Sequence, residues 1–285
     1  KHERGGFFSA EDADSEGEEG TFYLWKEQEL FTILGKKDGS VISKVYGFSK
    51  TGNFFDEASG KRNGGNIPFL SKSKSILAKE IKIDLDELNN IIECSRKKLF
   101  EKRKERIHPL KDDKILTDWN GLMIASFANG GIVLNNEQYI KEAINAADFV
   151  HEHLQRNDGR LVKRYRQGHS GLDPHINDYS FMIWGLINLY EATYKTLYLS
   201  RALKLTEVMI EDFYDENGGF FIGSKNAEKL IIRAKDYYDG AIPSGNSAAI
   251  YSLFKLGKIT GNIDWINIAH QTLKAFSNQV KRNPS

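Results

Sequence analysis

Residues 178–190 have the sequence DYSFMIWGLINLY, a polar residue followed by a segment that is apolar on nearly every side of a helix. Runs of the same kind start at Asp118 (DWNGLMIA) and at Asn246 (NSAAIYSL), 60 residues before and 68 residues after Asp178. A helix that is apolar nearly all round is buried on most of its sides. The three segments therefore predict three buried helices, each starting at an Asp or Asn of the kind that helix N-termini favour.

A second, amphipathic helix is predicted after each buried one. Each has an aromatic residue and, four residues later, an alanine on the same helical face. The pairs are Tyr139 and Ala143, Tyr198 and Ala202, and Trp265 and Ala269. One hairpin cannot bury its own apolar inner face, so neighbouring hairpins must stack in two layers. The repeat predicts an all-α fold, an (α/α) toroid of repeated helical hairpins with inner apolar and outer amphipathic helices.

Turn and strand signals separate the hairpins. The turn at 157–159 leads into the extended segment 161–165, and the turn at 217–219 leads into 220–222. These signals predict short β-hairpins in the connecting loops. The Gly-Gly-Phe-Phe sequence of 218–221 also occurs at 5–8. The later copy follows an outer helix, so we expect the same of the earlier one and expect this chain to be an internal piece of a longer protein.

The first hundred residues are less regular. Short helices are predicted over 26–34 and 39–46, and a long helix from the N-cap Asp84 to about Lys104. On the buried side of the long helix we expect Leu85, Leu88, Ile91, Ile92 and Leu99. Cys94 lies in the same helix and is predicted to be a buried small hydrophobic residue rather than a nucleophile.

Composition narrows the class of protein. Among the 285 residues, 40% are hydrophobic and 28% charged, as in an ordinary globular protein, which excludes a disordered chain. A net charge of +1 gives no electrostatic footprint for nucleic acid, and no apolar run approaches the roughly 20 residues of a membrane helix. A single cysteine cannot form an internal disulfide. The sequence predicts a cytoplasmic protein without nucleic-acid or membrane partners.

The starts of the buried helices are the first candidate site. If these helices run parallel round a ring, their N-termini meet at one mouth, where free N–H groups favour polar or anionic ligands. Asp118 and Asp178 are then candidate catalytic carboxylates. Substrate-binding candidates at the same level are Trp119, Asn120, Tyr179, Ser244 and Asn246. The alternative is that the Asp and Asn residues only cap their helices, a role that needs these residue types whatever the function.

Two further clusters contribute candidates. An acidic stretch before Trp25 offers Asp14 as a catalytic residue and Glu11, Asp12 and Trp25 as substrate-binding residues. Its opening matches a calcium loop, but Tyr23 stands where the closing bidentate Glu belongs, so we predict no metal and no cofactor. The segment 236–247 offers Asp239 as a fourth catalytic candidate, with turn chemistry and helix capping as the alternative. No histidine pair has metal-ligand spacing, and His108 and His175 are weak candidates for a base.

Four stretches resemble one known family, the spermatogenesis-associated protein 20-like, or thioredoxin-domain-containing, proteins. They are GGFFSAEDADSEGEEGTFYLW (5–25), DDKILTDWNGLMIA (112–125), NDYSFMIWGLINLYEAT (177–193) and DGAIPSGNSAA (239–249). The resemblance implies an N-terminal thioredoxin-like domain followed by a six-hairpin toroid akin to N-acylglucosamine 2-epimerase and six-hairpin glycosidases. This chain then corresponds to an incomplete six-hairpin barrel, one helical-hairpin domain over 1–285 that lacks the thioredoxin-like domain.

These features together predict a carbohydrate-binding or carbohydrate-active module with a sugar-like ligand. If the module isomerises or epimerises a sugar, a carboxylate or His108 is the expected base; if it hydrolyses one, two carboxylates must flank the bond. The alternative is a non-catalytic scaffold that presents or regulates the attached thioredoxin-like domain. That alternative predicts carboxylates engaged in caps and salt bridges, with no open polar cleft.

Overall fold

The computed structural model describes residues 1–55, 60–228 and 231–282. The chain divides into two compact units. The hairpin unit comprises residues 1–10 and 112–285, and the three-helix unit comprises Glu11–Lys111. Within the described ranges, no helix is both long enough and apolar enough to cross a membrane. The single domain expected over 1–285 stays a prediction.

The described residues of the three-helix unit form three helices and short strands. In chain order, the elements from its entry to its exit are β1 (Ala10–Glu11), β2 (Asp14–Ser15), β3 (Glu18–Glu19), β4 (Trp25–Lys26), α1 (Glu27–Val45), β5 (Gly65–Asn66), α2 (Lys74–Ile81), α3 (Leu85–Lys104) and β6 (Lys111–Asp112). β2 pairs with β3 and β4 with β5, both antiparallel. Helix α1 is kinked at Gly35, where φ is 78° and ψ 173°, so its two halves correspond to the two short helices predicted there.

Helix α3 has the bounds that the sequence predicts. The Asp84 carboxylate accepts a hydrogen bond from the Asp86 N–H at 2.9 Å and so caps the helix. Leu88 and Ile92 lie in the core with Leu30 and Ile42. Two predictions for this helix are wrong, because Leu85 is 40% exposed and Cys94 is also exposed. The reason is helical geometry: positions 88, 92, 95 and 99 share the inward face, and position 94 lies on another side.

Three helical hairpins are formed by the part of the hairpin unit that the structure describes. Its elements after β6 are β7 (Ile115–Leu116), α4 (Thr117–Val133), α5 (Glu137–His153), β8 (Arg164–Arg166), β9 (His169–Gly171), α6 (Ile176–Thr193), α7 (Thr196–Phe213), α8 (Gly245–Thr260) and α9 (Ile263–Arg282). The inner helix α6 packs against α4 on one side and α8 on the other, and α5, α7 and α9 pack outside them. The predicted two-layer arrangement of hairpins is confirmed, and the described residues form no closed barrel.

Small residues let the inner helices approach closely. A Cβ placed on Gly121 of α4 would lie 2.5 Å from the Phe181 carbonyl carbon of α6, and one on Gly185 would lie 2.7 Å from the Gly121 oxygen. The outer helices are anchored by the predicted alanines Ala143, Ala202 and Ala269, all fully buried. The inner helices are in backbone-to-backbone contact, and the outer helices make contact through alanines. Both contacts bury apolar faces, and this burial is the main favourable term in the folding of the unit.

The loops contain the predicted β-hairpins in part. β8 pairs with both β7 and β9 in an antiparallel three-stranded sheet. Between β8 and β9, Gln167 and Gly168 have φ values of 49° and 84°, the two positive angles of a type I′ turn. In the later loop, Phe220 makes only an isolated bridge to Tyr214. The strand prediction is therefore confirmed in the first of these loops, whereas the described residues of the second form isolated bridges, with a further one between Gly223 and His175.

Candidate functional site

The two Gly-Gly-Phe-Phe copies are held in the same way by an asparagine of an inner helix. The Asn120 Oδ1 accepts a hydrogen bond from the Phe7 N–H at 2.8 Å, and its Nδ2 donates to the carbonyl oxygens of Phe7 and Leu116 at 3.1 and 2.8 Å. Asn246 repeats this on Phe220, accepting from its N–H at 2.7 Å and donating to its carbonyl at 2.9 Å. Each asparagine thus clamps the backbone of one Gly-Gly-Phe-Phe segment, and the sequence repeat is also a structural repeat.

Tyr179 has the corresponding role in the middle hairpin. Its hydroxyl accepts a hydrogen bond from the Leu161 N–H at 3.0 Å, and burial raises its pKa to about 12. Asn120, Tyr179 and Asn246 are at most 1% exposed. Their polar atoms bind backbone, so the structure gives these predicted substrate-binding residues a scaffold role rather than a place in a ligand site.

The loop after each outer helix also returns to the inner helix before it. The Thr117 N–H donates to the Lys163 carbonyl and the Ile176 N–H to the Ile222 carbonyl, both at 3.0 Å. These equivalent bonds place residue 163 at the N-terminus of α4. The Lys163 Nζ lies 3.2 Å from the Asp118 Oδ2 and 3.6 Å from the Asp178 Oδ2. One ammonium therefore bridges two of the predicted catalytic carboxylates.

The N-termini of the inner helices lie side by side. The Asp118 N–H of α4 donates to the Asp178 Oδ1 of α6 at 3.1 Å. A Cβ on Gly245, the first residue of α8, would collide with Ile176 and Asn177, at the start of α6. The predicted convergence of these helix starts is confirmed within the hairpin unit. The carboxylates do not line an open hollow, however, because Asp118 is 6% exposed and Asp178 is fully buried.

Burial and neighbouring charges give this cluster a carboxyl group, Asp178, that titrates near neutral pH. Burial, followed by repulsion from Asp118, raises the pKa of Asp178 to about 7, against the opposing effects of Lys163 and two backbone N–H donors. Burial lowers the pKa of Lys163, but Asp178 and Asp118 outweigh it, so the net pKa lies above its ordinary value. Lys163 therefore stays an ammonium at neutral pH, next to a carboxyl group, Asp178, whose pKa is raised.

His175 connects this cluster to a cavity. Its backbone N–H donates to the Asp178 Oδ2 at 2.7 Å, and it is the residue just before α6. Partial desolvation of the ring, and then the Lys163 charge, lower the pKa of His175, so the imidazole is neutral at physiological pH. The side chain is exposed and lines a cavity of about 320 Å³ together with Asp173, Ser224, Glu228 and Arg233. A neutral base, two carboxylates and a guanidinium thus surround one small space.

Trp119 and the α8 cluster have different surroundings. Trp119 is 42% exposed and follows Asp118 directly. Asp239 and Ser244 cap α8: the Asp239 Oδ1 accepts from the Ser244 N–H at 2.8 Å, and the Ser244 hydroxyl accepts from the Ser247 N–H at 3.2 Å. These contacts match the capping alternative that the sequence left open. The candidate site therefore does not include Asp239 or Ser244.

The remaining predicted site residues belong to the three-helix unit. Glu11, Asp12 and Asp14 are exposed, and Glu16 and Gly17 form the turn between β2 and β3 with φ values of 58° and 81°. Trp25 is buried beneath the Arg106 guanidinium, whose carbon lies 4.1 Å from the ring centre. The role of these four candidates in a common cleft stays a prediction. Among the described residues, no three His, Cys, Asp or Glu side chains are grouped in a way that could hold a metal.

Lys163 is the functional residue that sequence reasoning missed. The extended segment 161–165 is predicted from the sequence, but a lysine in an amphipathic strand is usually solvated. A signal does exist in the repeat. Lys163 follows the clamped Leu161 by two residues, as Ile222 follows the clamped Phe220. The equivalent position in the next repeat holds the apolar Ile222. A lysine at this position therefore indicates that its surroundings differ from those of its counterpart.

Sequence comparison places these features in a family context. No family model matches the chain. Human spermatogenesis-associated protein 20 is 33% identical over an alignment that covers 99% of this chain and 40% of the human protein. An uncharacterized protein of Caenorhabditis elegans is 28% identical, covering 99% of this chain and 42% of its own length. The resemblance to the spermatogenesis-associated protein 20 family is confirmed. The chain spans about 40% of the length of the curated relatives that it matches.

Solved structures identify the fold that this family segment shares. A GH76 α-mannanase of Bacteroides thetaiotaomicron matches with a TM-score of 0.51 and 18% identity, covering 61% of this chain and 48% of its own. A cellobiose 2-epimerase of Bacillus thermoamylovorans matches with a TM-score of 0.50 and 13% identity, covering 61% and 49%. At this level of identity the likeness concerns the fold alone, and it confirms the (α/α) toroid class.

Proposed function

We propose that the hairpin unit binds a carbohydrate in the cavity beside His175. The observation that carries the proposal is the position of His175, which lines this cavity of about 320 Å³ and donates its backbone N–H to Asp178 of the Asp118–Lys163–Asp178 cluster. Its size suits a monosaccharide unit, and its polar lining supplies several donors and acceptors for hydroxyl groups. The fold shared with a mannanase and a cellobiose epimerase supports the same ligand class by analogy.

Within this proposal, proton transfer is favoured over glycoside hydrolysis. Hydrolysis needs two carboxylates that flank one glycosidic bond. Asp178 is fully buried and faces Lys163 and backbone N–H groups, so such a pair would have to come from the exposed Asp173 and Glu228 on the cavity wall. His175 is exposed to the cavity, and its lowered pKa leaves it free to accept a proton at neutral pH. His175 is then the base of a sugar epimerase or isomerase, in place of the predicted His108, and Asp178 positions it through its backbone N–H.

The second candidate is a non-catalytic scaffold for an attached thioredoxin-like domain. One observation favours it: Asp178 and Asp239 accept helix-terminal N–H groups, and Asp118 is paired with Lys163, as the scaffold alternative predicts. The thioredoxin-like domain is itself a proposal, implied by the family resemblance for the rest of the longer protein. A cytoplasmic setting is part of both proposals and is based on the single cysteine.

A saccharide screen tests the first proposal. Mono- and disaccharides are added to the full-length protein, with binding followed by calorimetry and turnover by product analysis. Replacing His175 with Gln is expected to reduce turnover about 100-fold or more while sugar affinity changes little, since a general base contributes about 10²–10⁴. The control is His169→Gln, a change of an exposed histidine in β9, which is expected to leave both values unchanged. Failure to bind or convert any sugar would remove the proposal and leave the scaffold.

A further inference from the structure

The three-helix unit contains a second cavity, which has no part in the proposed sugar site. Its volume is about 420 Å³, within the range of small-molecule sites. Its wall includes four aromatic side chains: Trp25, Tyr46, Phe48 and Phe100. Trp25 is 4% and Phe48 9% exposed, whereas Phe100 is 46% exposed, so the cavity has a buried aromatic wall and opens to the surface. Such walls suit a flat apolar group.

Ser95 of α3 gives the cavity an unsatisfied polar group. The residue lies on the cavity wall and is 1% exposed. Among the described residues its Oγ has no hydrogen-bond partner. Most buried hydroxyl groups in proteins are hydrogen-bonded, so this one is available to a ligand that enters the cavity.

Arg103 gives the cavity an available positive charge. Four of its basic neighbours on or just after α3 are paired with a carboxylate: Arg96 with Glu93, Lys102 with Glu105, Lys104 with Glu101 and Arg106 with Glu29. In the described ranges, Arg103 has no such ion pair. Its guanidinium lies instead over the rings of Tyr23, Phe22 and Phe100, with 5.4, 5.5 and 5.8 Å to their centres. A guanidinium at an apolar wall is well suited to bind a carboxylate.

We propose that this cavity binds a small aromatic carboxylate. The ring of the ligand lies among Trp25, Tyr46 and Phe48, its carboxylate pairs with Arg103, and the Ser95 hydroxyl donates a hydrogen bond to it. The proposal uses only the three-helix unit and is independent of the sugar site.

Calorimetry tests whether the cavity prefers a negatively charged ligand. It compares 2-naphthoate with 2-naphthamide, an uncharged molecule of nearly the same shape. The full 285-residue chain is expected to bind the carboxylate at least tenfold more tightly than the amide. Arg103→Gln is expected to remove that preference, and Lys102→Gln, a change at the adjacent exposed position, is expected to keep it. Absence of binding, equal binding of the two ligands, or an unchanged preference in Arg103→Gln would overturn the proposal.

Ser95→Ala separates a ligand role from a structural one. Because the hydroxyl has no partner among the described residues, its removal is expected to leave the melting temperature of the free protein unchanged or higher. The same change is expected to weaken 2-naphthoate binding at least threefold. Unchanged affinity, or a lowered melting temperature, would contradict the assignment of this hydroxyl to the ligand.

Discussion

Asp178 shows how one side chain connects the fold to the chemistry of the site. Its two oxygens accept N–H groups from Asp118 and His175, so it joins the starts of two inner helices. Full burial beside a second carboxylate raises its pKa, and Lys163 limits that rise. The same residue therefore stabilises the helix junction and sets the charge next to His175, which makes its titration a direct probe of the cluster.

We expect this titration to appear as a pH dependence of stability. An Asp has a pKa near 4 in the unfolded chain but about 7 here, so between these values the folded state binds more protons. This contribution to stability is present below about pH 4 and is lost as pH rises through 7. In Asp118→Asn the repulsion is removed, the folded pKa falls, and the loss of unfolding free energy between pH 4.5 and 7.5 is expected to shrink by about 1 kcal/mol or more.

Urea denaturation at both pH values measures this difference. The control is Asp148→Asn, which removes a half-exposed carboxylate paired with Arg201 on the outer helices. It is expected to leave the pH dependence near pH 7 unchanged. Identical pH profiles for Asp118→Asn and the unmodified chain would show that Asp118 does not raise the pKa of Asp178.

At the scale of elements, glycine positions decide how close the inner helices lie. Gly121 of α4 meets the α6 backbone at Phe181. Gly130, nine residues later in the same helix, has room for a methyl group, since a Cβ added there would have only the Tyr139 ring nearby, at 3.6 Å. Both residues are glycine in a helix, where alanine is intrinsically better by about 1 kcal/mol. The two positions therefore have the same intrinsic helix propensity and differ in their tertiary contacts.

Alanine at these two glycines is therefore expected to act in opposite directions. Gly121→Ala should lower the unfolding free energy by about 3 kcal/mol or more, because its Cβ would overlap backbone atoms that cannot move independently. Gly130→Ala should be neutral or raise it by up to about 1 kcal/mol, since its Cβ meets a ring at ordinary contact distance. Thermal and urea unfolding measure both, and a stabilising Gly121→Ala would refute the close helix contact.

The whole molecule consists of two units with separate cores. The core of the three-helix unit includes Trp25, Leu30, Leu88 and Ile92, and every one of its buried residues lies within 11–111. The hairpin unit is instead built from two chain segments, 1–10 and 112–285, joined by the clamp between Asn120 and Phe7. Because the three-helix unit is continuous in sequence, we expect it to fold independently.

We expect the peptide 11–111 to fold alone. Its circular dichroism should show helices α1 to α3, and its thermal unfolding should be a single cooperative transition, because the residues that bury its core are all present. As a comparison, Leu88→Ala in this peptide should lower the unfolding free energy by about 2–5 kcal/mol, since Leu88 is fully buried. A non-cooperative or unfolded peptide would show that the unit depends on the rest of the chain.

Local patterns predicted most of the architecture. The spacing of apolar residues, the Asp84 cap and the aromatic–alanine pairs depend on helical periodicity, which acts over a few residues and is visible in the sequence. The site was predicted less completely. Asp118 and Asp178 do come together, but Asp239 caps α8 and Asn120 holds Phe7. An Asp or Asn at a helix start has the same sequence signature whether it caps, clamps or faces a ligand.

The sequence by itself determined the repeated hairpins, the two helical layers and the family resemblance, because these follow from periodicity and from segments of direct similarity. Only the tertiary structure decided that Lys163 bridges two carboxylates, that His175 lines a cavity and that Arg103 lacks an ion pair in the described ranges. The physical reason is distance along the chain. Charges separated by dozens of residues influence each other only after helix packing has brought them within a few ångströms and removed the water between them.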